Sequence, residues 1–187
     1  MPKPQHWRGS QAIYAPEGAP VLAFGTRAPH VSRGFSLIEV VIAMAIIAIL
    51  ALMVMPYLAE QTARQQIKDS MELANIAKAG VANYYGKSGG KFPSDNTVAG
   101  IPAADKIIGN FVTSVAIVDG GVNMTFGNNA NAVIKGKVLS IRPAYVVDTP
   151  SVPLAWVCAG MPVPSGMEVA GANATTLKVT SLPVECR

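Results

Sequence analysis

The chain has 187 residues, half of them hydrophobic and only 14% charged, with a formal net charge of +4. An average soluble domain carries about 25% charged residues, so this composition excludes a charge-rich disordered chain and leaves room for one domain, or one domain plus an anchor. The charge is uneven: residues 1–34 hold Lys3, Arg8, Arg27 and Arg33 against Glu17, whereas from Phe35 onward 11 basic side chains face 10 acidic ones. A basic tail before an apolar segment reads as the cytoplasmic flank of a membrane span, and nucleic-acid binding is the weaker explanation.

Residues 1–34 are rich in proline and glycine, lack a hydrophobic period and read as a disordered leader. Helical signals begin at Ser36, and from there to about Tyr85 the only proline is Pro56 and no glycine occurs before Gly80. That permits one helix of about 50 residues, on the order of 75 Å long, with a kink expected where Pro56 removes a backbone donor. Its first half is a nearly uninterrupted apolar run, Val40 to Met55, entered by one carboxylate, Glu39. Placing that acid at the bilayer centre would cost about 2.5–3.5 kcal/mol, and less near an interface, a cost an ordinary anchor has no reason to carry. After Pro56, polar residues are interspersed with Ile67, Met71 and Ala74, and with Leu73, Ile76 and Ala77, at spacings of three to four. One face of this half is expected to pack on a domain. Glu60, Arg64 and Lys68 are expected to be solvated surface.

Gly86 to Gly90 ends the helix, and residues 91–110 read mostly as loop. Phe111–Val118, the turn Asp119-Gly120-Gly121 and Val122–Phe126 give a hairpin signal. Further strands are expected at Lys137–Ile141 and Leu154–Val157, the latter ending at Cys158, with another in the irregular tail at Thr176–Thr180. A long helix followed by an antiparallel meander is an α+β arrangement.

Cys158 and Cys186 lie beyond the apolar run and therefore, with the basic flank cytoplasmic, in an oxidising compartment. Pairing would close a loop worth about 3–4 kcal/mol; the alternative is two free buried thiols. Asp95, Asp105, Asp119 and Asp148 fall in turns without calcium-ligand spacing, so no metal or other cofactor is expected. The two histidines, His6 and His30, lie in the leader, and no CxxC, HExxH, GxxxxGK[ST] or GxSxG motif occurs, so the chain does not read as an enzyme. Lys135-Gly136-Lys137 is expected to put two cations on one strand face, with Arg142 on the other parity, as a solvated edge. Asn173-Ala174-Thr175 fits a glycosylation sequon.

Arg33-Gly34-Phe35-Ser36-Leu37-Ile38-Glu39, the apolar run and Pro56 resemble the class III leader junction and N-terminal helix of type IV prepilins. Thr62-Ala63-Arg64, Gly90-Lys91-Phe92-Pro93, Gly109-Asn110-Phe111-Val112, Trp156-Val157-Cys158 and Leu182-Pro183-Val184-Glu185-Cys186-Arg187 extend the resemblance to residues 33–187, with a type IVa-like globular domain. Ala48 departs from the glycine common in this family. The resemblance implies a kinked, half-protruding helix packed on a roughly four-stranded antiparallel sheet, with a C-terminal disulfide-bounded loop. It implies a leader over 1–34, a transmembrane and assembly helix over 35–58, and a pilin head over 59–187. Carried over residue by residue, it implies cleavage between Gly34 and Phe35, N-methylation of Phe35, and assembly roles for Glu39 and Pro56. The implied partners are further pilin subunits, a prepilin peptidase, an inner-membrane assembly platform and the membrane itself, with DNA or a host surface as weaker expectations. The implied location is the inner membrane and then an extracellular pilus used for adhesion, twitching motility or DNA uptake. The N-terminal motif is shared with type II secretion pseudopilins, which with a membrane-anchored periplasmic protein are the alternative readings; the cysteine pair favours the pilin.

Overall fold

A computed structural model describes residues 34–187; the leader assigned to 1–34 lies outside them but for Gly34. One helix, α1 (Leu37–Lys87), runs unbroken through Pro56. It is followed by β1 (Val112–Val118), β2 (Gly121–Phe126), β3 (Val138–Tyr145), β4 (Ala155–Cys158) and the two-residue β5 (Glu168–Val169). The first four strands form an antiparallel meander in the order β1-β2-β3-β4, and β5 pairs with β3.

The packed half of α1 follows from its sequence spacing. Ala63, Ile67, Ser70, Ala74, Ala77 and Val81 are buried, at alternating steps of four and three, so they share one helix face. Most are small, which lets the helix axis come close to its neighbours. At Gly80 a Cβ would stand 2.6 Å from Ile101, so the helix touches the following loop where a side chain has no room. Ile76, expected on the packed face, is instead exposed.

The sheet meets this helix with Val115 and Ile117 of β1, Val122, Met124 and Phe126 of β2, Leu139 and Ile141 of β3, and Cys158 of β4. The register sets these residues opposite one another, for example Val115↔Met124, Met124↔Leu139 and Ile141↔Cys158. Alternation then puts Ser140, Ala144 and Val157 on the opposite face, and they too are buried. The segment after Cys158 supplies partners for that second face. Ser140 donates its hydroxyl to Asn123 Oδ1 at 2.5 Å and accepts from the Ala174 amide, while its own amide donates to Thr175 Oγ1. Cys158 and Cys186 form a disulfide, which closes this segment onto the sheet.

The β1–β2 turn is the two-residue Asp119-Gly120, both at positive φ (48° and 83°), a hairpin geometry that matches strand twist and suits Asp-Gly. β3 extends to Tyr145, beyond the expected end at Ile141. Pro143 is tolerated because β2 pairs with β3 only as far as Ile141, so its missing N–H breaks no bond with that neighbour. The strand expected at Thr176–Thr180 is absent. Thr176 bonds Val138 through both its amide and its hydroxyl, and the chain then turns into a short 3-10 helix at Val179–Ser181. Threonine hydroxyls here replace a backbone ladder.

Two local anchors hold the loop between α1 and β1. Buried Asn96 donates to the carbonyls of Pro102 and Val115 and accepts from the Ile117 amide at 2.7 Å. Tyr85, Phe92 and Tyr145 form an aromatic cluster, with centroids 4.7 Å apart for Tyr85–Phe92 and 5.1 Å for Phe92–Tyr145. It fixes the end of α1 against β3.

Replacing Asn96 by Ala leaves two buried backbone groups, at Val115 and Ile117, and the part-buried Pro102 carbonyl without this partner, so urea denaturation in detergent is expected to show a loss of about 2–4 kcal/mol, against less than about 0.5 for exposed Thr97→Ala. Replacing both Cys158 and Cys186 by Ser is expected to cost about 3 kcal/mol in the same assay. The Asp95 carboxyl is held below its usual range chiefly by the Val98 amide, with help from Ser94. Because its folded value is depressed, its contribution is fully present above the ordinary carboxylate range and lost as pH falls through the folded value, and Asp95→Asn should flatten that acid limb of the stability–pH curve.

Candidate functional site

Gly34, Phe35 and Ser36 precede the helix in non-helical conformation, and all are exposed. A Cβ built on Gly34 meets nothing within 4 Å, in contrast to Gly80. Packing among the described residues therefore gives no reason for glycine at this position. Phe35 is 82% exposed.

Ser36 is the N-cap residue and its side chain makes no capping bond, while the amides of Glu39 and Val40 donate to its carbonyl. Glu39 lies in the first turn, where the unpaired amides and helix dipole favour a carboxylate by about 0.3–1 kcal/mol. The ion pairs among the described residues lie elsewhere, at Glu60–Arg64 and Asp105–Lys106. Glu39 is thus the lone acid at the tip of an apolar rod.

Residues 37–58 project as that rod, about 33 Å long, every residue exposed. α1 is long and apolar enough to cross a membrane by length and composition, and none of its most apolar window is buried against the rest of the chain. Pro56 lies near the inner end of the rod, about 25 Å along the helix from Glu39. The residues singled out in the sequence are therefore strung along one exposed element, and only Cys158 and Cys186 are brought into contact.

At the base of the rod the structure adds a junction that the sequence reading missed. Arg64 Nε donates to the Thr180 carbonyl at 2.7 Å, Arg187 Nη2 donates to the same oxygen, and the Thr180 hydroxyl donates to Glu60 Oε1. Gln66 Oε1 accepts the Asn131 amide, tying the β2–β3 turn to the same stretch of helix. Glu60 and Arg64, expected as solvated surface, instead bind the C-terminal segment. The contacts made by Glu60, Arg64 and Gln66 join residues 65 to 120 positions apart, so no local pattern could have signalled them.

Other expectations are relocated. Lys135 lies in the turn before β3, not on a strand, and its ammonium donates to the Asn128 carbonyl. Arg142 is half-buried and donates to the Ala159 carbonyl, which takes it out of any surface patch. Asp119 and Asp148 sit at positive φ in turns, and Asp105 pairs with Lys106. In the sequon, Asn173 accepts the Thr175 amide. Lys78 rests over Trp156 at 5.6 Å from the ring centroid, and burial pushes its ammonium pKa down.

Two family models match the chain: a prokaryotic N-terminal methylation motif over residues 30–55, and a pilin (bacterial filament) model over residues 63–187. A fimbrial protein of Neisseria meningitidis serogroup B is 33% identical over 165 residues, covering 83% of this chain and 94% of the relative. A type IV major pilin protein of Neisseria gonorrhoeae is 34% identical over 163 residues, covering 83% and 87%. A fimbrial protein of Neisseria meningitidis serogroup A is 41% identical over 110 residues, a match that spans 58% of this chain and 64% of that relative. A methylation motif at the helix tip, a long helix on an antiparallel meander, and a disulfide closing the C-terminal segment all converge: the chain belongs to the pilin family of bacterial filament proteins.

Proposed function

We propose that this chain is the structural subunit of a type IV pilus, made as a precursor, cut between Gly34 and Phe35, N-methylated on Phe35 and assembled from the inner membrane into an extracellular filament. The observation that carries the reading is the fully exposed apolar rod 37–58 bearing one carboxylate at its tip, continuous with a folded head. Fully burying a large apolar side chain is worth about 1.5–3 kcal/mol, so this rod needs a cover along its whole length. Lipid supplies the cover in the precursor, and the rods of neighbouring subunits supply it in the filament. The step is then an exchange of one apolar environment for another, with little net apolar driving force, so a polar contact can decide register.

Hydrolysis of the Gly34–Phe35 bond supplies that contact. It leaves a carboxylate on Gly34 and a new cationic amine on Phe35, four residues from Glu39. Methylation keeps the charge. Glu39 neutralises this amine within the subunit or across to its neighbour, and in a low-dielectric bundle an unpaired partner is heavily penalised. A single charge pair in an otherwise apolar bundle fixes axial register, as a buried polar residue does in a coiled coil. Open space around Gly34 fits a bond that must admit a peptidase. The partners of this reading are further copies of the chain, the peptidase and the assembly platform, and the role is structural, not catalytic. The Cys158–Cys186 bond goes with the pilin reading over a type II secretion pseudopilin.

Two measurements test it. Glu39→Gln keeps the side-chain volume and removes the charge, so membrane insertion should stay normal while sheared surface filaments, counted by electron microscopy and immunoblot, fall by about tenfold or more, the equivalent of roughly 1.4 kcal/mol. Normal piliation in Glu39→Gln and Glu39→Ala cells would sink the assembly role. Gly34→Val should leave the head folded yet retain the leader, read as an intact mass that includes Met1.

A further inference from the structure

We propose that the membrane-proximal end of the head is a binding surface for anionic lipid headgroups, engaged before the subunit leaves the bilayer; this rests on the reading that residues 37–58 span the membrane. The charges of the described chain nearly cancel in sum but not in space. Lys178 lies two residues before Thr180, whose carbonyl is held by Arg64 and Arg187. Lys137 adjoins Val138, which exchanges two bonds with Thr176. Lys135 lies in the turn tied to Gln66 through Asn131. With Lys68, six cations thus gather around the first turns of α1 beyond the rod, against Glu60, Asp69, Glu72 and Glu185. At the far end, around the Tyr85–Phe92–Tyr145 cluster, acids prevail: Asp95, Asp119, Asp148 and Glu168 against Lys87, Lys91 and the half-buried Arg142.

Three further features at the basic end fit a lipid surface. Tyr57, 62% exposed at the inner end of the rod, is a residue type that sits at headgroup level, and it places the cations just outside that level. Val179 and Val184, 67% and 80% exposed, stand among those cations, the apolar-plus-basic pairing of interfacial segments. Between α1 and the C-terminal turn opens a recess of about 240 Å³ lined by Arg64, Lys68 and Arg187, with Gln61, Gln65 and Glu185. An adjoining hollow of about 290 Å³ runs over Met71 and Pro183. The recess offers charge and donors to one phosphate-bearing headgroup, and the hollow offers an apolar floor beside it. Tilting the head would bring its acidic far end within a screening length of the same surface, where it is repelled, so the field favours the head upright on its own membrane.

The test uses the full chain reconstituted in vesicles of phosphatidylcholine alone and of phosphatidylcholine with phosphatidylglycerol. Lysine acetylation rates are read by peptide mass spectrometry. In the anionic vesicles Lys68, Lys135, Lys137 and Lys178 should react about fivefold more slowly, with Lys87 and Lys91 unchanged. The protection should vanish near 1 M salt, where the screening length is about 3 Å. In a Lys135→Gln, Lys137→Gln, Lys178→Gln variant, the protection left at Lys68 should fall. Equal rates in the two vesicles would overturn the proposal. Protection that follows the density of chains instead of lipid charge would also overturn it, assigning the surface to a second copy. Alkaline carbonate extraction separates the two levels: a chain washed off both vesicles defeats the spanning reading, whereas a retained chain without lipid-dependent protection defeats only this inference.

Discussion

Everything in this molecule is arranged around one continuous helix whose two halves face different solvents. From Leu37 to Leu58 the side chains of α1 are, but for Glu39, apolar on every side and all are exposed; from Ala63 onward the same helix shows one buried stripe and one wet face. No loop lies between the halves to absorb the change. The transition is made by composition alone, and it is secured by the hydrogen bonds that Arg64 and Glu60 make to Thr180.

That constraint explains how the head is built. A helix that must project cannot also be wrapped, so the sheet takes only its second half, and small residues at Ala63, Ser70, Ala74, Ala77 and Gly80 let it approach closely there. At β3 the sheet in turn is covered on both faces, by α1 on one and by the segment after Cys158 on the other. The disulfide holds this last segment, and the segment carries Thr180 to the base of the rod. Loss of the C-terminal closure would thus be felt at the point where the rod leaves the head. The exposed rod, the junction at its base and the charge gradient along the head all lie on one axis, as the proposed passage from membrane to filament requires.

Most of the fold was legible because its signals are local. The absence of helix breakers from Ser36 to Tyr85, the Asp119-Gly120 turn between alternating strands, and the apolar run all act within a few residues. The misses share one cause. Pro143 hid the second half of β3 because proline is tolerated only where a neighbouring strand has ended, which strand register decides. Thr176 read as the start of a strand but, like its neighbour Thr175, spends its hydroxyl on a β3 amide. Arg142 read as a surface cation and is half-buried under Ala159.

By itself the sequence determined two things at the tip: a glycine, a phenylalanine and a glutamate at fixed spacing, and the membrane-length apolar run that follows them. Those are matters of covalent order and solvent transfer, which need no folded partner. Tertiary structure alone decided which polar residues meet. Arg64 and Thr180, Gln66 and Asn131, and the six cations at the base of the head come together over separations that no local pattern encodes, because each contact depends on how the sheet returns the chain to the start of its own helix.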